Sequence, residues 1–372
     1  MKEVDDKIKL ILAKAARAIL IEDTLNFDWK PFVAGIFVYQ KKYLIDICLF
    51  LANLPSLELK KEHSKLLENI YILFQEKNSE RLKSQSKKLA QLVKKKSMCF
   101  EETKFEIALE MYEYGLSYGR ISELIDINVW DMQKRTNKYI NCKKINQIKE
   151  CIIDESALRT ICLTGVTSSL EKLRFNKNKE INHFFITEST SKKVVFENLN
   201  NKNGFDSIKL IPQLGNGTIE IKEVNSKTKL INSSLINESL FYKNIPIPII
   251  SNEEEEIITL VINSKEKILV SDDFNIIELI IKPSNFRKRI EKKLKLNLKL
   301  KKLHIKNKVV NSSELIIESI KKGSFEQLTY ANYKKIKNFN KIIARSVLEK
   351  FRENGCPIEK KKIKEMISVI KN

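Results

Sequence analysis

Two stretches decide the fold: Glu150 to Val166, ECIIDESALRTICLTGV, and Ile268 to Asn275, ILVSDDFN. In each, a short apolar run stops on a carboxylate. Cys151, Ile152 and Ile153 lead to Asp154, while Ile268, Leu269 and Val270 lead through Ser271 to Asp272 and Asp273. Runs of three or four aliphatic residues read as strands buried on both faces of a parallel sheet. In open α/β sheets the ligand crevice lies outside the strand carboxyl ends, so these acids are expected in one crevice. Clustered carboxylate oxygens there suit a divalent cation.

Outward from these strands the pattern alternates as an α/β fold does. A strand over 150–153 precedes a helix over 156–173, and a strand over 183–187 precedes a helix through Val195. A further helix is expected near Asp206 to Leu214, ending in the turn Gly215-Asn216-Gly217. Thr218 to Val224 alternates like a strand. A helix from Lys227 to Tyr242, an extended Ile245 to Ile250 and a helix from Asn252 complete the order before Ile268. Gly is only nine residues of the 372, and no phosphate-cradling loop is present, which counts against nucleotide-binding folds.

Residues 1–96 read as an all-helical module. Ile8, Ile11, Leu12 and Ala15 repeat at helical spacing, as do Tyr39, Tyr43, Ile47 and Leu51 after Pro31, and Leu66, Leu67, Ile70, Leu73 and Phe74. Lys77 to Lys96 then turns basic without visible chemistry. Residues 97–145 resemble a helix-turn-helix: Gly115 ends a helix, Ser117 caps the next and Asn128 caps a third. Such a module would offer Trp130, Gln133, Lys134, Arg135 and Lys138 to a major groove; plain helical packing explains the pattern equally. The α/β region spans 146–325, and helices over 326–372 around Gly355-Cys356-Pro357 are expected to pack back on it.

Asp154 to Gly165, with Asp154 followed after one residue by Ser156-Ala157-Leu158, resembles the first strand and loop of archaeal-type PIN-domain nucleases. Weaker likenesses follow in order at Phe184–Val195, Ser251–Val261, Val270–Pro283, Asn311–Gly323 and Glu353–Lys360. They cover roughly the last three fifths of the chain. The resemblance implies a PIN-like fold and a metal-dependent ribonuclease, with Asp154, Glu254 and Asp272 holding Mg²⁺ or Mn²⁺ and Asp273 completing the catalytic set. Such ions make a water nucleophilic and neutralise the leaving oxygen.

Each acid also has a plainer reading. Asp154 sits where a strand-end Asp caps the next helix. Ser251-Asn252-Glu253-Glu254 is a capping box, and Asp272-Asp273 suits a surface turn. Ser156 either bonds a ligand or caps. The pattern departs from the family at its second acid, where register places Lys193, whose ammonium would stand in a cation's place. Glu188 and Glu197 are the reserves for that second acid, and Glu256 is the reserve for Glu254. Asn275, Ile276 and Ile277 replace the Thr-Thr-Arg of archaeal relatives.

Lys+Arg 68 against Asp+Glu 47 gives a net charge of +21, a bias that favours nucleic acid. From Lys282 to Lys308 there are 12 basic residues and one acid, Glu291. Leu294, Leu296, Leu298 and Leu300 alternate there with Lys295, Asn297 and Lys299, so Lys292, Lys293, Lys295 and Lys299 are expected to meet phosphates, or else to solvate an edge strand. Six scattered cysteines without a CxxC argue for reduced thiols and no structural zinc. His63, His183 and His304 stand apart from any nucleophile. Phe32 to Leu54 carries Lys41, Lys42 and Asp46 mid-run, so no membrane span is expected, and the chain reads as cytoplasmic. The leading expectation is an endoribonuclease, with RNA ahead of DNA as partner. The alternative is a nucleic-acid-binding regulator whose PIN-like region is degenerate and inactive. In a third reading the helical part masks the acids.

Overall fold

A computed structural model of the chain describes residues 2–25, 27–58, 61–96, 99–136, 150–174, 183–197, 207–224, 239–262, 267–301, 308–321 and 339–370. Among these residues there are eight strands: β1 (Glu150–Ile153), β2 (His183–Thr187), β3 (Ile219–Lys222), β4 (Leu240–Tyr242), β5 (Ile245–Pro246), β6 (Lys267–Val270), β7 (Lys299–Leu300) and β8 (Lys308–Val310). Five of them form one parallel sheet in the order β3-β2-β1-β6-β8. The rest make a small antiparallel sheet, β5-β4-β7. The chain runs from β1 outward through β2 to β3, then returns to lay β6 on the other side of β1. That reversal makes the β1/β6 boundary the switch point where open α/β sheets bind ligands.

Period-two alternation sorts the strand side chains into two cores. Ile152, Phe185, Leu269 and Val309 join a cluster built with the N-terminal helices and with helices Asn252–Ile262, Phe274–Ile281 and Pro283–Leu294. Cys151, Ile153, Phe184, Ile186, Ile268, Val270 and Val310 face the opposite way, into a cluster with helices Glu155–Thr164, Ser312–Lys321, Phe339–Glu353 and Lys360–Ser368. The helical region therefore shares a core with one sheet face. The expected stripe of helix Lys2–Leu20 is buried there through Ile8, Ile11, Leu12 and Ala15.

Several elements differ from the expected boundaries. The helix after β1 stops at Thr164, because Gly165 takes φ 72 and caps it, and a second short helix starts at Ser169. The helix expected after Pro31 is two, Val33–Tyr39 and Lys42–Ala52, separated by Gln40 at φ 47. Leu240–Tyr242, expected as the end of a helix, is a strand. Its neighbour β7 covers only Lys299–Leu300, because Leu294 ends a helix and Lys295 turns at φ 54. Glu188–Ser191 forms one helical turn, continued by a π-helical turn over Lys192–Glu197. The link Asn141–Lys149, the helix expected from Lys227 and the basic run from Lys302 to Asn307 lie outside the described residues, as do the side chains of Lys134 and Glu197. No described helix is long and apolar enough to cross a membrane.

Candidate acidic site at the strand ends

The register of the sheet sets the site. Ile153 pairs with Val270, and Val270 with Val310, so three strands end level. The next amides continue the ladder: Asp154 donates to the Val270 carbonyl at 3.0 Å and Ser271 to the Val310 carbonyl at 3.0 Å. Asp154, Asp272 and Asp273 thus leave one edge together, as the sequence suggests, and all three are buried. Ser156 joins two of them, donating its hydroxyl to Asp154 Oδ1 at 2.8 Å and accepting the Asp272 amide at 2.8 Å.

Each carboxylate is also a cap. Asp154 Oδ1 accepts the Ala157 amide at 2.8 Å, closing the first turn of helix Glu155–Thr164. Asp272 accepts the Ser312 amide on Oδ1 at 2.9 Å and the Ser312 hydroxyl on Oδ2 at 2.5 Å, holding the start of helix Ser312–Lys321. Asp273 Oδ1 takes the Asn275 amide at 2.8 Å, capping helix Phe274–Ile281.

The remaining contacts come from the helical region. Helix Tyr118–Ile125 begins directly over the acids. Its first amides need acceptors, and the Tyr118 amide gives its hydrogen to Asp273 Oδ2 at 2.6 Å, the Gly119 amide to Glu254 Oε1 at 3.1 Å and the Arg120 amide to Ser117 Oγ at 3.1 Å. The Ser117 hydroxyl in turn donates to Glu254 Oε2, which also accepts the Ser251 amide at 2.7 Å. With the Glu254 amide on Ser251 Oγ at 3.2 Å, the capping box read from sequence is present. Only glycine fits at 119, since a Cβ there would lie 2.6 Å from Ser251 Oγ and 2.8 Å from the Glu254 carboxyl. Asn275 fastens the same junction, donating to the Tyr112 and Leu116 carbonyls at 2.8 Å each and accepting from Arg289 at 2.6 Å.

Burial drives the ionisation of this cluster. Desolvation lifts Asp154 to about 7 against the hydrogen bonds from Ser271, Ala157 and Ser156. Glu254 rises to about 7 by burial, with Asp154 adding to the shift, and Asp273 to about 8 by burial and then the Glu254 charge. Asp272 is raised by burial as well. Asp154, Glu254 and Asp273 thus hold protons near neutrality.

Lys193 reaches this edge from the π-helical turn and pairs with Glu253 at 3.1 Å. Burial pulls its ammonium pKa down, but the charges of Glu155, Glu253 and Glu254 outweigh that and raise it. Of the reserve acids, Glu188 points out and pairs with Lys192 at 3.3 Å, while Glu256 accepts the Ser189 hydroxyl at 2.6 Å. Neither approaches the four acids through a hydrogen bond.

The expected nucleic-acid residues divide. Lys292, Lys295 and Lys299 are exposed, with Leu294, Leu296 and Leu298 buried between them. Lys293 is a correction, because its ammonium pairs with Glu110 at 3.2 Å and with Glu113, tying helix Pro283–Leu294 to helix Phe100–Glu113. Trp130 and Gln133 are a second correction. Helix Val129–Arg135 forms where expected but turns both inward, and Gln133 donates to the Ser156 carbonyl at 3.1 Å and to Thr160 Oγ1 at 2.8 Å. Trp130 lies under the buried Arg159 guanidinium, 4.9 Å from its ring centroid. Arg135 remains exposed, stacked on Phe105 at 4.1 Å.

The donor set does not fit Mg²⁺ or Mn²⁺ in this arrangement. Both oxygens of Glu254, Asp272 and Asp273 already accept hydrogen bonds, most from backbone amides that cannot step aside without unwinding a helix end. Among the described residues no three His, Cys, Asp or Glu side chains are placed to hold one ion. Sequence reading finds the four acids but misses Gly119, Tyr118 and Ser312, which donate to them, and marks Asn275 only as a departure from the family; the capping signals at Asp154, Ser117 and Ser251–Glu254 are the visible hints. Comparison with protein-family models, curated proteins and solved structures gives no match for this chain.

Proposed function

We propose that this chain is a nucleic-acid-binding regulator whose PIN-like α/β region is catalytically inactive, its acids turned to holding the helical region in place. One observation carries the reading: the Asp273 and Glu254 carboxylates cap the first turn of helix Tyr118–Ile125, so the protein's own backbone fills the switch-point crevice. Lys193, among Glu155, Glu253 and Glu254, supplies fixed positive charge beside it. The net charge of +21 and the exposed Lys292, Lys295 and Lys299 support an anionic partner.

The test is a binding and cleavage assay on labelled single-stranded RNA and duplex DNA, with and without Mn²⁺. Binding is expected to weaken steeply with salt, and the triple variant Lys292→Ala, Lys295→Ala, Lys299→Ala to flatten the slope by roughly 0.7–0.9 for each phosphate no longer neutralised. No metal-dependent cutting is expected. A second reading, the metal-dependent ribonuclease, is favoured by the proximity of the acids, since the Asp154 charge raises the pKa of Glu254 and the Glu254 charge that of Asp273. Cutting that requires Mn²⁺ and is abolished in Asp154→Asn would establish that reading and end the first.

A further inference from the structure

Helix Ser79–Lys96 carries a surface that the acidic site does not use. It buries Leu82, Ser86, Leu89 and Val93, at i, i+4, i+7 and i+11, against its neighbours in the helical region. At about 100° per residue, the opposite face sorts into three rows. Arg81, Lys88 and Lys95 form one row at spacing seven. Lys83, Lys87 and Lys94 form another, roughly 100–140° round the axis from Lys88. Ser84 and Gln91, also seven apart, lie between them, and all eight side chains are exposed.

The charge on this face is one-sided. The helix has a single acid, Glu80, in its first turn. Among the described residues no carboxylate forms an ion pair with Arg81, Lys83, Lys88, Lys94 or Lys95, and Lys87 lies near Asp46 without a salt bridge. Lys83 and Lys87 stand four apart, a like-charge spacing that weakens a helix. A helix kept only for solubility would mix signs along such a face. Two cation rows about a neutral polar row match two phosphate walls with base edges between them.

We propose that this face docks in the major groove of B-form duplex DNA, the two rows neutralising phosphates on opposite walls and Ser84 and Gln91 facing the bases. The proposal rests on the nucleic-acid reading above and names its partner. The B-form groove, about 12 Å wide, admits an α-helix of about 10–12 Å diameter. The deep, narrow major groove of A-form RNA does not. From Arg81 to Lys95 the helix runs about 21 Å, within one turn of duplex.

The experiment measures anisotropy of the full chain with a 20-base-pair DNA duplex and the matching RNA duplex over a range of salt. Three proteins are compared: the parent, Arg81→Gln/Lys88→Gln/Lys95→Gln, and Lys292→Ala/Lys295→Ala/Lys299→Ala. The inference expects DNA binding tighter than RNA binding at least tenfold, and a fall of about 2 to 3 in the salt slope for the first variant. Parental slope in that variant with a reduced slope in the second would overturn this docking face and leave the nucleic-acid reading standing. Equal affinity for the RNA duplex would overturn groove insertion. Failure of the parent to bind any nucleic acid would remove the nucleic-acid reading and this inference with it. Circular dichroism of the variant, whose substituted positions are all exposed, checks that a reduced slope comes from the missing cations and not from unfolding.

Discussion

Gly119 is where the helical region and the acids come closest. Its amide reaches Glu254 only because no side chain intervenes, and an added Cβ would meet atoms at 2.6 and 2.8 Å. Gly119→Ala is therefore expected to cost about 1–3 kcal/mol, as overpacking of a closed contact does. Gly215→Ala is the control, because nothing lies within 4 Å of its added Cβ; it should stay within about 0.5 kcal/mol of the parent. Urea unfolding of both decides the matter, and equal midpoints would show that the junction yields freely. The acids beneath make a second prediction. Asp154, Glu254 and Asp273 have folded values of about 7, 7 and 8, above the ordinary carboxylate value near 4. The folded state therefore holds protons that the unfolded chain has released. The stability these protons contribute is full below about pH 4 and is lost as pH rises through about 7 to 8. Asp273→Asn removes one such group and its cap together, so the informative quantity is how the difference from the parent changes with pH. Between pH 5 and pH 8.5 that difference should move towards the variant by up to about 4 kcal/mol. A difference that does not change with pH would mean that Asp273 ionises normally.

Elements show what a sequence can and cannot carry. The strands at 150–153 and 267–270 are legible because burial on both faces leaves a plain aliphatic run, and the caps at Ser117 and Asn128 because a short polar side chain before an apolar stripe has one common use. Breaks at Gln40 and Lys295 are not legible, since neither residue type announces a left-handed turn. Gln40 is held there by distant contacts, its side-chain amide donating to the Pro248 carbonyl at 2.6 Å. Lys293 teaches the same lesson for charge. Within a basic run it is indistinguishable from Lys292, yet one faces Glu110 and the other faces solvent. Strand-end position reveals the acids of the site, and both readings of Glu254 follow from its sequence. Which one the fold uses depends on Ser117 and Gly119, more than a hundred residues away, and local spacing carries no such information.

At the scale of the whole molecule, one sheet face is covered by helices Asn252–Ile262 and Phe274–Ile281, and these share one cluster with the N-terminal helices. Ile152, Phe185, Leu269 and Val309 pack in the cluster that the N-terminal helices complete. The junction adds Asp273, Glu254 and Asn275 on one side, and on another Gly355, where a Cβ would strike the Gln133 carbonyl at 2.2 Å. The helical region thus shares a core cluster and a hydrogen-bonded junction with the α/β region, which a detachable lid would not. A fragment of residues 137–372 is accordingly expected to bind a hydrophobic dye, to lack a near-ultraviolet circular dichroism signal and to melt without a cooperative transition, whereas the full chain melts in one step. A lid predicts the reverse: a folded fragment whose freed acids gain thermal stability from millimolar Mn²⁺. Measuring both proteins with and without Mn²⁺ separates the two, because only an independently folded α/β region would present Asp154, Glu254 and Asp273 to an ion. A cooperative, Mn²⁺-stabilised fragment would return the acids to a catalytic role and make the helices its inhibitor.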